Sequence, residues 1–234
     1  MEIHPSIHAI DLGLYLSEHK VLIICDVHVG YEDSLVNTGL LLPAMQAKDI
    51  KDRLAYLFAK VPVDTLVING DFKHQFGRSS RQEWKESIDI LEFATSKVKK
   101  VILVQGNHDP AIHPIARRVN CEVVQEFCAG NILVTHGDEV PARLADVIIM
   151  GHEHPAIVLR DKAKSEKYKC FLKGKFMRKV LIVQPSFHVL TQGTNVLTEK
   201  LLSPLIGSIG SFEVFIVDDV HHEVLRFGKV RDLE

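Results

Sequence analysis

The chain has 234 residues, 46% hydrophobic and 25% charged, with a formal net charge of −2. A chain this long buries roughly 70% of its unfolded surface, and its recurring apolar runs exclude intrinsic disorder. The charge balance excludes a globally basic nucleic-acid binder, and no run approaches the roughly 18 apolar residues of a membrane span.

The opening residues, Met1 to Pro5, carry no cationic start and no apolar leader core, so the expected compartment is the cytoplasm. The first buried strand is expected over 21–25, and it empties into Asp26-Val27-His28. A helical pattern over 43–60 follows, with Pro43 near its start and Met45, Ile50, Leu54, Leu57 and Phe58 at helical spacing. A strand over 65–68 runs into Gly70-Asp71-Phe72-Lys73-His74. A second helical pattern, 80–98, carries Trp84, Ile88, Leu91 and Val98 on its apolar face. Strand 101–104 leads to Gly106-Asn107-His108-Asp109, strand 132–134 to His136-Gly137-Asp138, and strand 147–150 to Gly151-His152-Glu153-His154. These runs are short and β-branched, as strands buried on both faces are. Strand-helix alternation of this kind defines an α/β domain. Beyond it, strands are expected over 156–160, 168–172, 179–183, 212–217 and 223–227, with little helix between them. The expected organisation is one domain, 1–234, built on two packed sheets.

Cys25, Cys121, Cys128 and Cys170 lie far apart with no CxxC pair, which points to a reducing compartment and no thiolate metal site. Cys25 reads as a small buried hydrophobe. The 13 histidines matter more. His4, His8, His19, His113, His221 and His222 fall outside any motif, and His188 is left open. The others sit with carboxylates at the ends of strands, and in open α/β sheets ligands gather at the carboxyl ends of strands. Five such clusters therefore converge on one place. Carboxylate, imidazole and amide oxygen suit manganese, iron, zinc or nickel. Residues two apart on an extended segment point the same way, so Asp26 with His28, and His152 with His154, are each expected to reach one ion. The glycines before Asp71, Asn107 and His152 allow close backbone approach. Seven candidate ligands overfill one octahedral ion and fit two that share a carboxylate.

In this order, DxH, GD, GNHD, H and GHxH, the residues from 26 to 154 resemble the calcineurin-like metallophosphoesterase superfamily. A narrower set is similar to the compact ICC-like branch, which includes archaeal phosphoesterases and the ligase-associated phosphoesterase of bacterial DNA repair. That set is Asp26 to Glu32, Gly70 to His74, and Pro185-Ser186-Phe187 followed by Gly193-Thr194. The resemblance implies a four-layer α-β-β-α sandwich of two mixed sheets with flanking helices. It implies that Asp26, His28 and His154 hold one ion, that Asn107, His136 and His152 hold a second, and that Asp71 bridges them. His108 would face the substrate phosphate and protonate the leaving oxygen, and Asp109 would orient His108. Many nucleases of the superfamily carry an acidic or amide residue where this chain has His74, so Lys73 and His74 are read as groups beside the substrate or behind the ligands.

The expected chemistry is hydrolysis of phosphodiester bonds, in DNA or RNA, by a water activated between two divalent ions, manganese first among them. Lys73, Arg78 and Arg81 are candidates to neutralise non-bridging oxygens. From Arg160 to Lys179 nine Lys or Arg face two acids. Lys162, Lys164 and Lys167 are expected in a hairpin turn where they would bind a nucleic-acid backbone. The narrower likeness implies a helicase or ligase associate. Two other readings stay open: a phosphatase or phosphodiesterase for a small nucleotide-type substrate, and a scaffold subunit that keeps the fold. No ligand position has become apolar, which speaks against the scaffold.

Overall fold

A computed structural model of the chain describes residues 1–39, 45–161, 164–188 and 190–233. The first sheet has seven strands in chain order: β1 (Glu2–His4), β2 (Ile7–Ile10), β3 (Gly13–Leu16), β4 (Val21–Cys25), β5 (Thr65–Asn69), β6 (Lys100–Val104) and β7 (Glu122–Val124). It is antiparallel from β1 to β4 and parallel from β4 to β7. The second sheet has nine: β8 (Phe127–Ala129), β9 (Ile132–Thr135), β10 (Val147–Met150), β11 (Pro155–Asp161), β12 (Lys164–Phe176), β13 (Lys179–Val183), β14 (Thr194–Asn195), β15 (Glu213–Asp218) and β16 (Glu223–Lys229). Its strand order is β14-β11-β12-β13-β10-β9-β8, and β15 lies against both β12 and β16. The centre of this sheet, β9-β10-β13, is parallel.

The helices α1 (Tyr31–Asn37), α2 (Gln46–Lys60), α3 (Arg81–Thr95) and α4 (His113–Arg118) sit in the crossovers of the first sheet. The second expected helix is shorter than its pattern, and its inner face is turned. Trp84 is largely outside, whereas Glu83 and Ser87 are buried. The Ser80 hydroxyl caps the helix by accepting from Glu83 N. The Glu83 carboxylate then accepts from the backbone N–H groups of His74 and Gln75. A buried acid holds the inner position because it satisfies two donors that the indole could not. The first expected helix begins at Gln46, with Met45 exposed at its cap; Pro43 lies outside the described residues.

The two sheets face each other across one core. Ile23, Val67 and Ile102, in register on one face of the first sheet, share it with Val134, Ile149, Phe171, Ile182 and Phe215. The strands of the second sheet alternate, as the period of two requires. Ile148, Leu172, Leu181 and Val214 face the other way, onto Leu205, Phe212 and Val230. That outer layer is irregular chain plus a 3-10 turn at Val230–Asp232, with no α-helix there among the described residues. The molecule is thus the expected sandwich of two mixed sheets with flanking layers, its α-helices on the first sheet and mostly irregular chain on the outer face of the second. Gln184 ties the sheets together: its Nε2 donates to Leu12 O and Ile23 O, each at 2.9 Å.

The basic hairpin differs from its expected form. Pairing of β11 with β12 runs to Asp161 opposite Lys164. Lys164 and Lys167 are therefore strand residues and not turn residues, because β12 is 13 residues long and begins at Lys164. Lys162 lies outside the described residues. No helix of the described residues is long and apolar enough to cross a membrane.

Candidate metal centre and substrate cleft

The carboxyl ends of β4, β5, β6, β9 and β10 meet where the two sheets abut. The Asn69 amide at the end of β5 donates to Thr135 O at the end of β9, 2.9 Å away. Asp26 Oδ2 accepts from His152 N at 2.9 Å, and Asp71 Oδ1 accepts from His108 N at 2.8 Å. Each carboxylate thus holds a neighbouring loop with one oxygen and keeps the other for the centre. Asp26 and His28 are not extended. Asp26, His28, Asp71, His152 and His154 all have φ between 43° and 67°, the left-handed region that non-glycine residues seldom enter. The strands end at Cys25 and Met150, and the chain must then fold back sharply to stay at the sheet junction. The same left-handed, x, left-handed pattern puts Asp26 and His28 in one ligand group, whereas His152 and His154, expected to reach one ion, are divided between the two groups. Backbone strain of this kind persists where surrounding structure over-determines it. A Cβ on Gly106 would collide with Asp71, and one on Gly151 would sit 2.5 Å from Asp26 Oδ2, so these glycines let the carboxylates through.

Among the described residues three groups are close enough to hold an ion; two follow the expected ligands, Asp26, His28 and His154, and Asp71, His136 and His152, and the third is His28 with His74 and His108. His28 Nε2 and His154 Nε2 are 3.3 Å apart, and His152 Nδ1 and His136 Nε2 are 3.2 Å apart. Asn107 Oδ1 lies 2.9 Å from His136 Nε2, and Asp71 Oδ2 is 3.5 Å from that nitrogen and 3.9 Å from His28 Nε2. Lone-pair atoms crowded at such distances in a buried place suit cations. Asp26 Oδ1 is buried with no hydrogen-bond partner. Burial raises the Asp26 carboxyl, but His154, His136 and His28 outweigh it and hold it below the ordinary range. Burial and the neighbouring Asp26 carboxylate push Asp71 up to about 8. Burial, reinforced by His154, holds His28 well below its ordinary value, and burial lowers His136. Neutral imidazoles beside carboxylates that repel one another form a donor set completed by divalent ions.

Above this centre opens a cleft of about 760 Å³ whose walls include His28, Tyr31, His74, His108, His154, Lys167 and His188. His108 is half-buried with its Nδ1 2.6 Å from His74 O. Burial lowers its pKa. His74 stands in the cleft beside Tyr31, ring centroids 4.8 Å apart. Its neighbour Lys73 does not. Lys73 is fully buried and its Nζ donates to Gln75 O, so it fixes the loop and is not a substrate cation. Asp109 does not touch the His108 ring. Its oxygens accept from the backbone N–H groups of Phe72, Lys73 and Gly106 at 3.1, 3.2 and 3.2 Å. Three donors on one buried carboxylate lock the Asp71 loop to the Asn107 loop, and the His74 carbonyl takes the place expected of Asp109. Arg78 and Arg81 are exposed, and neither is among the residues lining the cleft. Lys164 is exposed and does not line it either, whereas Lys167 does.

Tyr31, Gln46 and His188 are site residues that sequence reasoning left unassigned. Gln46 Nε2 donates to His28 O at 2.9 Å. His188 Nδ1 accepts from Leu190 N and Thr191 N at 3.0 and 3.2 Å, and burial with the nearby Lys169 lowers its pKa to about 3. Tyr31 stood inside the Asp26 to Glu32 motif and could have been flagged. Gln46 and His188 carried no local signal.

The model of the calcineurin-like phosphoesterase family matches residues 19–156, more than half of the chain. The chain belongs to that family, whose members use a dinuclear metal centre. Among solved structures it is similar to a nuclease, MPE, of Pseudomonas putida, with 21% identity and a TM-score of 0.67 over 93% of this chain and 92% of that one. A protein of unknown function from Aquifex aeolicus, AQ665, matches 57% of this chain and 78% of its own at 20% identity and a TM-score of 0.39. A Vps29 double mutant from Entamoeba histolytica matches 89% of this chain and 98% of its own at 16% identity and a TM-score of 0.37. No curated protein sequence matches.

Proposed function

We propose that the protein is a two-metal phosphodiesterase acting on nucleic acid. Asp26, His28 and His154 would hold one ion, Asn107, His136 and His152 the other, and Asp71 both. The observation that carries this reading is the mutually crowded donor set at the sheet junction, with Asp26, His28, Asp71 and His136 buried, under an open cleft. When bound, two such ions neutralise phosphoryl oxygens and lower the pKa of water. The chain's own groups do the rest. The His74 carbonyl fixes a hydrogen on His108 Nδ1 and leaves Nε2 for the substrate. A phosphate anion nearby favours protonation of that ring, and the proton on Nε2 passes to the leaving oxygen. Lys167 lines the cleft, its ammonium 3.5 Å from Glu199 Oε1, and a cation there suits the backbone of a polyanion. The Pseudomonas neighbour is named a nuclease, which agrees with a polymeric substrate.

An activity panel with manganese added tests the proposal. It compares a generic diester, a monoester, a cyclic nucleotide, and single- and double-stranded DNA and RNA. Cleavage of the diester and of at least one polymer is expected. Preference for the monoester with no polymer cleaved overturns it in favour of a small-molecule phosphatase.

A further inference from the structure

We propose that Phe76 is the platform on which a nucleobase of the substrate stacks, setting the adjoining ester beside His108. The inference rests on the nucleic-acid reading above and goes further by naming what recognises the base. Phe76 lies in a polar loop, Lys73-His74-Gln75-Phe76-Gly77-Arg78. It is 65% exposed, and no phenylalanine or tryptophan among the described residues is more so. Its ring packs against the His108 imidazole, with centroids 3.7 Å apart and planes 34° apart. An aromatic ring in contact with the group at the reaction centre, with most of its surface still in water, lacks a partner of its own kind.

The loop that displays it is tightly held. His74 N donates to Val29 O at 2.9 Å. Glu83 Oε1 accepts from His74 N and Gln75 N at 3.0 and 2.8 Å, and Lys73 Nζ donates to Gln75 O. Lys73 and Glu83 are both fully buried. Taking two charged side chains out of water is unfavourable unless they satisfy specific partners. Here both are committed to fixing residues 74 and 75, and the side chain presented next is Phe76. A ring that served only to cover His108 would be better buried. A base laid on Phe76 removes the exposed apolar face from water and adds a stacked aromatic pair. Every base has such a face, and His108, against which Phe76 packs, lines the cleft that Lys167 also lines, where a cation suits the neighbouring phosphate.

The test compares the parent protein, Phe76→Ala and Phe76→Trp, each loaded with manganese. The substrates are a single-stranded oligothymidylate and an oligomer of equal length whose nucleosides are all replaced by abasic tetrahydrofuran units. Phe76→Ala should raise KM on the thymidylate by about 5- to 150-fold, the range of base–aromatic stacks truncated to alanine, with kcat little changed. Phe76→Trp should restore KM. On the abasic oligomer Phe76→Ala should match the parent. Equal losses on both oligomers, carried in kcat, overturn the assignment and leave Phe76 as a cover for His108. An unchanged KM on the thymidylate overturns it too. If the parent cleaves neither oligomer yet hydrolyses a small diester, the nucleic-acid reading falls and this assignment falls with it.

Discussion

His108 Nδ1 lies 2.6 Å from the carbonyl oxygen of His74. A carbonyl can only accept, so that nitrogen carries a hydrogen and the imidazole's other nitrogen is fixed for the substrate. His108→Ala should keep the fold and the bound metal while turnover falls by about 10²- to 10⁴-fold, the usual worth of a positioned acid. An ester with a good leaving group should lose less. Equal losses across leaving groups would leave charge stabilisation as the role of His108.

Asp71 faces ligands of both groups, His28 at 3.9 Å and His136 at 3.5 Å. Asp71→Asn keeps an oxygen for His108 N but loses the charge. Bound manganese, measured by elemental analysis, should fall from two ions per chain to one or none. Activity should fall by more than the roughly 10- to 100-fold seen when a partner behind a ligand is removed. One ion per chain in the unmodified protein at saturating manganese would contradict the two-metal reading.

Lys169 is buried, and its Nζ donates to Ser186 O at 2.8 Å, to Ser186 Oγ and to His188 O. Burial lowers its pKa from 10.5 to about 8. Between those values the unfolded chain holds a proton that the folded chain has released, so stability rises with pH over that window. The rise attributable to this group is at most about 3 kcal/mol. Urea unfolding midpoints at pH 7.5, 8.5 and 9.5 should rise less steeply in Lys169→Met than in the parent. Parallel slopes would show that Lys169 is not the group responsible.

Lys167 lines the cleft whereas Lys164, three residues earlier on the same strand, is exposed outside it. Lys167→Gln should weaken nucleic-acid binding and reduce the log–log salt slope by about 0.7 to 0.9, the share of one phosphate contact. Lys164→Gln should do less on both counts. Matching effects from the two variants would show that only the general charge of the strand matters.

The parallel strands and their polar ends were legible because apolar runs stop abruptly at Cys25, Asn69, Val104, Thr135 and Met150. The gathering of Asp26, His28, Asp71, Asn107, His136, His152 and His154 followed from that register. Three things were hidden. The left-handed backbone at the ligands has no residue signature, since it is imposed by contacts between loops. The separate fates of Lys73 and His74, neighbours in sequence, depend on Glu83 reaching back from α3. Asp109 looked like a partner for His108 because the two are adjacent, yet its carboxylate turns toward three backbone donors. The β1 to β3 ribbon and the length of β12 also escaped, the first because short alternating segments carry little periodicity.

The Asp26 Oδ2 to His152 N bond joins positions 126 residues apart, across the two sheets. During synthesis, domains generally fold from the N-terminal side as the chain emerges. A nascent chain that has reached β7 (Glu122–Val124) already holds Asp26, His28, Asp71 and Asn107, but the histidines that complete both groups arrive with the second sheet. Divalent ions can then be captured only late, once β9 and β10 have docked. Their capture would draw the equilibrium toward the docked state, as a ligand of the native form does. Chelation should accordingly loosen the junction between the sheets before it loosens either sheet, and amide exchange at Gly151 and His152 should be the first to quicken.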